Sequence, residues 1–340
     1  MNDNGSTVPP ISVVMSCYNA ERWLAESIES VLSQTWRDFE FILVNDGSTD
    51  ATADIIAQYA EADRRIVPVS KRNTGLADSL NTGIAHARGT WIARLDSDDL
   101  CEPNRLALQW RCAAKNAELV FIGTGLVLID EHGRRSTVHR YPTTHLRLLA
   151  NLITARKFPA HSSAFFRTEA FRRVGGYRPR IRRAEDWDLW LRLSEVGELT
   201  CVEEPLVCIR KHASQISHDE GGLRQIVDLR VAIVSYWQRR AGQPDSVEGS
   251  REGFEKFWNW VHEQIDADGI FARESVRNGM KQAAGRFGFS RLGYTARFVL
   301  SHPSSVAALG WERFFGSSLP RRLASEWMRS DTRDERRGDP

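Results

Sequence analysis

Over its first 130 residues the chain alternates short apolar runs with stretches of helical periodicity. This alternation restricts the possible folds more than any other feature. Ile11-Ser12-Val13-Val14-Met15 follows two prolines and reads as a buried strand. Leu24, Ile28, Val31 and Leu32 recur at helical spacing, which predicts an amphipathic helix over residues 21–34. Phe39 to Val44 is a second apolar strand. It ends in Asn45-Asp46-Gly47-Ser48-Thr49-Asp50, a turn of helix-capping residue types. A helix through Ile55, Ile56 and Tyr59 follows, then a strand over 66–69, a helix marked by Leu76, Leu80 and Ile84, and a strand over 91–95. A helix over 106–114 and a strand over 119–129 complete the series. This order predicts an α/β fold, a mostly parallel sheet with helices on both faces. Ligands of such sheets sit beyond the carboxyl ends of the strands. The segments after Met15, Val44 and Leu95 are therefore where a site is expected.

From 130 to 220 the pattern is less regular. It holds a turn at Asp130-Glu131-His132-Gly133, a helix over 144–155, the loop Ala160-His161-Ser162-Ser163, a helix near 185–195 and a strand near 206–210. From about 220 to 330 the chain reads as helical and rich in Trp and Phe, punctuated by Gly242, Pro244, Gly269, Pro303 and Pro320. We expect a disordered N-terminus over 1–8, one α/β domain over 9–220 and a C-terminal helical region over 221–340, with a soft boundary near Gly221-Gly222.

Composition removes several function classes. The 340 residues carry 46 Lys and Arg against 44 Asp and Glu, a net charge of +2, so no global basic field points to nucleic acid. Eleven Trp and 15 Phe argue against disorder. Cys17, Cys101, Cys112, Cys201 and Cys208 are scattered and odd in number, with no Cys-x-x-Cys pair. That weighs against a disulfide framework or a cysteine zinc site and fits a reducing compartment. The polar start of the chain has no readable secretory signal, and no stretch approaches the ~20 apolar residues of a spanning helix.

The strongest local signal is Asp96-Ser97-Asp98-Asp99 at the exit of a buried strand. Three carboxylates within four residues repel one another unless a cation or solvent screens them. Mg²⁺ or Mn²⁺ bridging a substrate phosphate is the usual reason for such a cluster. The competing explanation is that Asp98 or Asp99 caps the helix after Pro103, which needs one acid rather than three. Asp46 lies one residue past the second strand, where a carboxylate can accept from a base or ribose, while Asp50 suits an Asx-turn into the next helix. Tyr18-Asn19-Ala20-Glu21 follows the first strand without a glycine-rich run, against a dinucleotide fingerprint, a P-loop or a nucleotidyltransferase.

In order and spacing these segments resemble the inverting family-2 glycosyltransferases of the GT-A fold. The resemblance rests on Val13-Val14-Met15-Ser16-Cys17-Tyr18-Asn19, Ser30-Val31-Leu32-Ser33-Gln34-Thr35, Val44-Asn45-Asp46-Gly47-Ser48-Thr49-Asp50, Asn73-Thr74-Gly75-Leu76, Leu80-Asn81-Thr82-Gly83 and Asp96-Ser97-Asp98-Asp99. It continues through His161-Ser162-Ser163, Val174-Gly175-Gly176-Tyr177, Glu185-Asp186-Trp187-Asp188 and Arg210-Lys211-His212, roughly residues 9–218. It implies a nucleotide-binding half over 9–130 and an acceptor half over 131–220.

The resemblance implies roles residue by residue. Ser16 and Tyr18 lie against the base of a nucleotide, usually uridine, with Asp46 on the uracil edge and Asn73 at the nucleoside. Many members have two acids where this chain has Asn45-Asp46. Asp96 faces the ribose, and Asp98 ligates a divalent cation, Mn²⁺ or Mg²⁺, that bridges the diphosphate; Asp99 stands behind it. Asp186 is the general base that takes a proton from the acceptor hydroxyl, and Glu185 raises its pKa by like-charge proximity. Without the resemblance, Glu185-Asp186 reads equally as charge complementing a helix dipole. His212 is either near the metal or structural, and Arg210 and Lys211 are alternative neutralisers of the leaving diphosphate. The implied activity moves a sugar from a nucleotide-diphosphate sugar, a UDP-sugar first, to a saccharide or lipid-linked acceptor. The implied setting is surface-polysaccharide synthesis in the cytoplasm, at the inner face of the membrane. The rivals are a nucleotide-sugar-binding protein without catalysis, a glycosidase and a nucleotidyltransferase.

Two features lie outside the resemblance. Seven arginines (167, 172, 173, 178, 180, 182, 183) and one acid, Glu169, run towards Asp186. They read either as a surface for an acidic, lipid-linked acceptor or as a solvated face. Aromatic stripes at Phe254, Phe257, Trp258, Trp260 and Val261, at 298–300, and at Trp311, Phe314 and Phe315 read either as peripheral membrane contact or as helix core.

Overall fold

Strands β1 (Ile11–Cys17) and β2 (Phe39–Asp46) are buried along nearly their whole length, which is why their sequences are apolar runs rather than alternations. They lie in a sheet of nine strands among the described residues; the computed structural model describes residues 8–212, 215, 223–267 and 321–327. β3 (Ile66–Lys71), β2, β1 and β4 (Trp91–Arg94) pair side by side, all parallel. The connections between them are α1 (Leu24–Leu32), α2 (Thr52–Ala62) and α3 (Leu76–His86). Ile11, Val13, Met15 and Cys17 point into a core with Leu24, Ile28 and Val31 of α1 and Ile56 of α2. α3 covers the opposite face: a Cβ on Gly83 would stand 2.7 Å from Val14 Cγ1 and 2.9 Å from Val44 Cγ2. Helices therefore flank both faces.

Beyond β4 the sheet is mixed. β5 (Leu100–Cys101) leads to α4 (Arg105–Ala113), β6 (Leu119–Ile129), β7 (Arg135–His139) and α5 (His145–Ile153). A single 3₁₀ turn at His161–Ser163 precedes β8 (Phe165–Arg167), α6 (Thr168–Arg173), α7 (Glu185–Leu193) and β9 (Glu198–Arg210). β8 pairs antiparallel with both β4 and β6, whereas β9 runs parallel to β6 and antiparallel to β5. The expected strand near 206–210 is thus the last part of a longer one, 198–210. Its register against β6 shifts around Gly125, where Pro205 and two exposed glutamates interrupt the apolar pattern.

The helix expected over 21–34 begins only at Leu24. Residues 19–21 are held by the β2–α2 turn instead: Ala20 N–H donates to Thr52 Oγ1 at 2.8 Å, Glu21 N–H to Asp50 Oδ2 at 3.1 Å, and Thr49 N–H to Asn19 Oδ1 at 2.9 Å.

The chain divides into two units, residues 1–219 and 220–340. In the second, α8 (Leu223–Arg240) packs on α9 (Arg251–Ala267). Phe254, Phe257 and Val261 are buried there, Trp258 Nε1 donates to Asp228 Oδ1 at 2.7 Å, and the Trp327 ring lies 5.3 Å from those of Phe257 and Trp260. This stripe is core of its own unit. The N-terminal seven residues, Gly221-Gly222, Gly269, Pro303, Pro320 and the aromatic positions at 298–300 and 311–315 lie outside the described residues. Among the described residues no helix is long and apolar enough to cross a membrane.

Candidate active site

β4 delivers its chain end to the centre of the first unit's sheet, and the acids begin there. Carboxylate oxygens of Asp96, Asp98 and Asp99 lie within 4.8 Å of one another. Neither Asp98 nor Asp99 caps α4, whose N-cap is Asn104. Asp99 is buried; it accepts from Ser162 Oγ and, at 2.9 Å, from the backbone N–H of Arg210. Burial, then the charges of Asp98 and Asp96, lift its carboxyl well above the ordinary range. Asp98 is raised by burial and by Asp96, against which His212 pulls it down. His212 Nε2 sits 2.8 Å from Asp98 Oδ2, and its ring lies 4.3 Å from that of Trp23. Asp96 faces a different partner: the Arg94 guanidinium binds both of its oxygens, and Ser162 Oγ donates to Oδ2 at 2.8 Å.

This donor set fits a hard divalent cation. It offers clustered carboxylate oxygens and an imidazole, the ligand types of Mg²⁺ and Mn²⁺ sites. The buried Arg94 beside the acids is already bound to Asp96, and Asp98 and Asp99 are raised first by burial and then by their acidic neighbours.

Arg210, an expected neutraliser of diphosphate, is committed elsewhere. It is 1% exposed and donates to Asp98 O at 2.9 Å, Glu131 O at 3.3 Å and Glu26 at 2.8 Å. It braces the acidic loop, leaving the exposed Lys211 as the cation of that pair at the surface.

The segments after β1 and β2 form the neighbouring wall. Tyr18 is 52% exposed, and Ser16 Oγ donates to Ser79 Oγ at 2.9 Å. Asn45 makes the Asx contact, taking the Ser48 N–H at 3.0 Å, and Asp50 accepts from Thr52 N–H at 3.0 Å. Asp46 is buried and turned towards the loop after β3. Its Oδ1 accepts from Lys71 Nζ at 2.7 Å and Thr74 N–H at 3.1 Å, its Oδ2 from Gly75 N–H at 3.1 Å. Asn73 is exposed on that loop, which passes so close to Gly47 (φ +71°) that a Cβ there would stand 2.7 Å from Asn73 N. Only glycine suits that position.

Glu185 and Asp186 open α7. Glu185 is buried, its Oε2 has no hydrogen-bond partner, and burial followed by the charge of Asp186 pushes its pKa up to about 8. Asp186 accepts the Trp187 N–H at 2.7 Å and is raised by burial, with Asp96 adding to the rise and Arg94 opposing it. The like-charge effect expected to act on Asp186 thus falls on Glu185, the more deeply buried of the two. Asp96 and Arg94 both act electrostatically on these two acids. The Tyr177 hydroxyl meets His161 Nε2 at 2.7 Å, and burial and then Arg94 keep His161 neutral.

The arginine segment is not one surface. Arg178 is buried against Asp188, and Arg167 lies 5.0 Å over the Trp91 ring and donates to Ala117 O at 2.9 Å. Arg172, Arg173 and Arg182 are exposed. Sequence reasoning missed Arg94 and placed Ser162 on the acceptor side, although a charged residue inside the apolar run Trp91–Leu95 was a legible signal for the first.

A sheet parallel through β4, mixed beyond it and carrying an acid cluster at a strand's carboxyl end is the arrangement the resemblance to GT-A glycosyltransferases implies. The profile of Glycosyl transferase family 2 matches residues 12–175. EpsE of Bacillus subtilis strain 168, provisionally named a glycosyltransferase, is 43% identical over 198 residues, 56% of this chain and 68% of its own length. The chain belongs to glycosyl transferase family 2. The chondroitin synthase of Escherichia coli is 31% identical over 191 residues, 56% of this chain but 27% of the synthase. Two solved structures share the fold at 15% identity. S. aureus TarS 1-349 in complex with UDP has a TM-score of 0.54, covering 94% of this chain and 91% of that one. The Pyrobaculum calidifontis mannosyltransferase PcManGT with GDP-Man and Mn²⁺ has a TM-score of 0.51, covering 95% and 88%.

Proposed function

We propose that this enzyme transfers a sugar, with inversion, from a nucleotide-diphosphate sugar to a saccharide or lipid-linked acceptor in polysaccharide assembly, with uridine the first-choice nucleotide. The observation that carries the reading is the convergence of Asp96, Asp98 and Asp99 at the end of β4, with Asp96 near enough to act electrostatically on Glu185 and Asp186. UDP in the TarS structure and GDP-Man with Mn²⁺ in PcManGT support a nucleotide donor and a cation. The chondroitin synthase relative supports a polysaccharide setting.

Tyr18 offers an exposed ring for the base to stack on. Three of the roughly four lone-pair sites of Asp46 are taken, which leaves one for a base N–H. Ser16 and Asn73 line the same wall, and Asp96 takes the ribose. Asp98, with His212 behind or beside it, holds the cation; when bound, the cation offsets charge building on the diphosphate. Asp186 Oδ1 accepts the Trp187 N–H, so Oδ2 remains for the acceptor proton. Burial makes Asp186 a stronger base than an ordinary carboxylate. The acceptor O–H proton passes to Asp186, the acceptor oxygen bonds the anomeric carbon, and the bond to the diphosphate breaks with its electron pair leaving on the nucleotide. Lys71 and the 71–75 loop hold Asp46 and shape the nucleoside wall. The chain works in the cytoplasm, at the inner face of a membrane if the acceptor is lipid-linked.

The test is a panel of uridine, guanosine and thymidine diphosphate sugars, scored by Mn²⁺-dependent thermal stabilisation and by transfer. A uridine-selective, metal-dependent response is expected. A flat response across all three removes the reading.

A further inference from the structure

A buried cation lies beneath the acids. Arg94 is the last residue of β4 and 2% exposed. Its backbone is fixed on both sides: its N–H donates to Ala164 O at 2.9 Å, and its carbonyl accepts from Arg105 Nη2 at 2.7 Å. Both terminal nitrogens of the guanidinium are aimed at one carboxylate, Asp96, and Nη1 also reaches Ser162 Oγ at 3.1 Å. Ser162 in turn touches Asp96 and Asp99, so the arrangement is a three-point cradle under the acidic loop. Arg94 Nε has no hydrogen-bond partner. A buried N–H left unsatisfied is costly, and here it accompanies a fork held on Asp96 and Ser162.

We propose that Arg94 is a positioning residue for the donor: from below, with Ser162 as the third point, it locks the Asp96 carboxylate in the one orientation that receives the ribose of a nucleoside diphosphate. The inference rests on the reading that Asp96 meets the donor. Arg94 itself stays under the floor and touches no substrate. A free aspartate samples several rotamers and would spend part of the binding energy on being ordered. The planar fork removes that freedom in a way a lysine, a point donor, cannot.

The test measures UDP affinity in saturating Mn²⁺ and, separately, donor KM and kcat, for Arg94→Lys, Ser162→Ala, Asp96→Asn and the two double variants with Asp96→Asn. Arg94→Lys keeps the buried charge felt by Glu185 and Asp186, so its loss is expected in donor KM more than in kcat. Its UDP affinity falls about tenfold, and that of Ser162→Ala about threefold. Asp96→Asn costs about tenfold alone, and adding either second substitution costs little more, because residues acting through one group are not additive. A loss of about a hundredfold in the Arg94→Lys, Asp96→Asn double, or an unchanged UDP affinity in Arg94→Lys, overturns the proposal. If Arg94→Lys does not fold, the Ser162→Ala pair decides alone: multiplicative losses overturn it, non-additive losses support it. Failure of UDP to bind the parent protein would instead sink the reading beneath it, and the proposal with it.

Discussion

His212 and Asp98 lie 114 residues apart in the chain and 2.8 Å apart in space, with the imidazole packed at a tilt against Trp23. A carboxylate and an imidazole at that distance can share one cation or exchange one hydrogen bond, and substitution separates the two roles. Asp98→Asn is expected to lower transfer by at least about 100-fold, since it removes the carboxylate proposed to hold the cation. His212→Ala is expected to weaken Mn²⁺ activation by about 10–100-fold, with activity regained at high Mn²⁺, the usual scale for a group that ligates weakly or orients a ligand. Manganese titrations of initial rate check both. An unchanged half-activating concentration in His212→Ala would leave that histidine with a packing role only.

Asp186→Asn tests the acceptor side. The amide keeps the shape and the Trp187 contact but cannot take a proton. Turnover should fall by about 10²–10⁴-fold, the scale of general-base catalysis. UDP affinity in Mn²⁺ should stay as it was, because nothing in the nucleoside wall has changed. Undiminished transfer by this variant would exclude Asp186 as the base.

The apolar runs of β1, β2, β4 and β6 made the buried strands legible, and β6 begins and ends where its pattern does, 119–129. Apolar pattern reports burial and not strand direction, so the antiparallel entry of β8 left no trace in it. β5 and β8, at two and three residues, are too short for any periodicity. In the site, the acids of 96–99 were legible because crowding like charges is costly wherever the chain goes. Arg94, Ser162 and Arg210 act only through residues that folding brings to them. Arg210 shows the limit plainly: next to His212 it reads as a phosphate ligand, yet its guanidinium is buried under Asp98, Glu131 and Glu26.

Glu185 carries a pH signature. Its pKa in the folded chain is pushed up to about 8 by burial and by Asp186, against 4.5 for an ordinary glutamate. Between those values the native state holds a proton that the unfolded chain has released, so stability is greatest at the acid end and falls as pH rises towards 8. The full effect is of order a few kcal/mol. Glu185→Gln, neutral at every pH, should flatten this decline. Melting temperatures at pH 6 and pH 8.5 measure it: the parent should lose clearly more than the variant, and equal losses would place the proton elsewhere.

Asp188, three residues into the same helix, is the structural counterpart of these functional acids. It is fully buried, and burial alone would lift its pKa, yet Arg192 and Arg178 hold it below the ordinary value. Arg192 bonds it within α7 at 2.7 and 3.0 Å, and Arg178 reaches it from the loop after α6, its Nε at 2.9 Å. Asp188→Ala would remove the buried carboxylate that both guanidinium groups share, at a cost of about 3–5 kcal/mol. Arg173→Ala, at an exposed position of the same arginine-rich segment, should stay within about 0.5 kcal/mol. Urea unfolding of the two variants compares them directly. A loss confined to Asp188→Ala means that part of this basic segment is an internal strut fixing the start of α7, and with it Asp186. Equal, small effects would return Arg178 to the surface and reopen the segment as a docking face for an acidic acceptor.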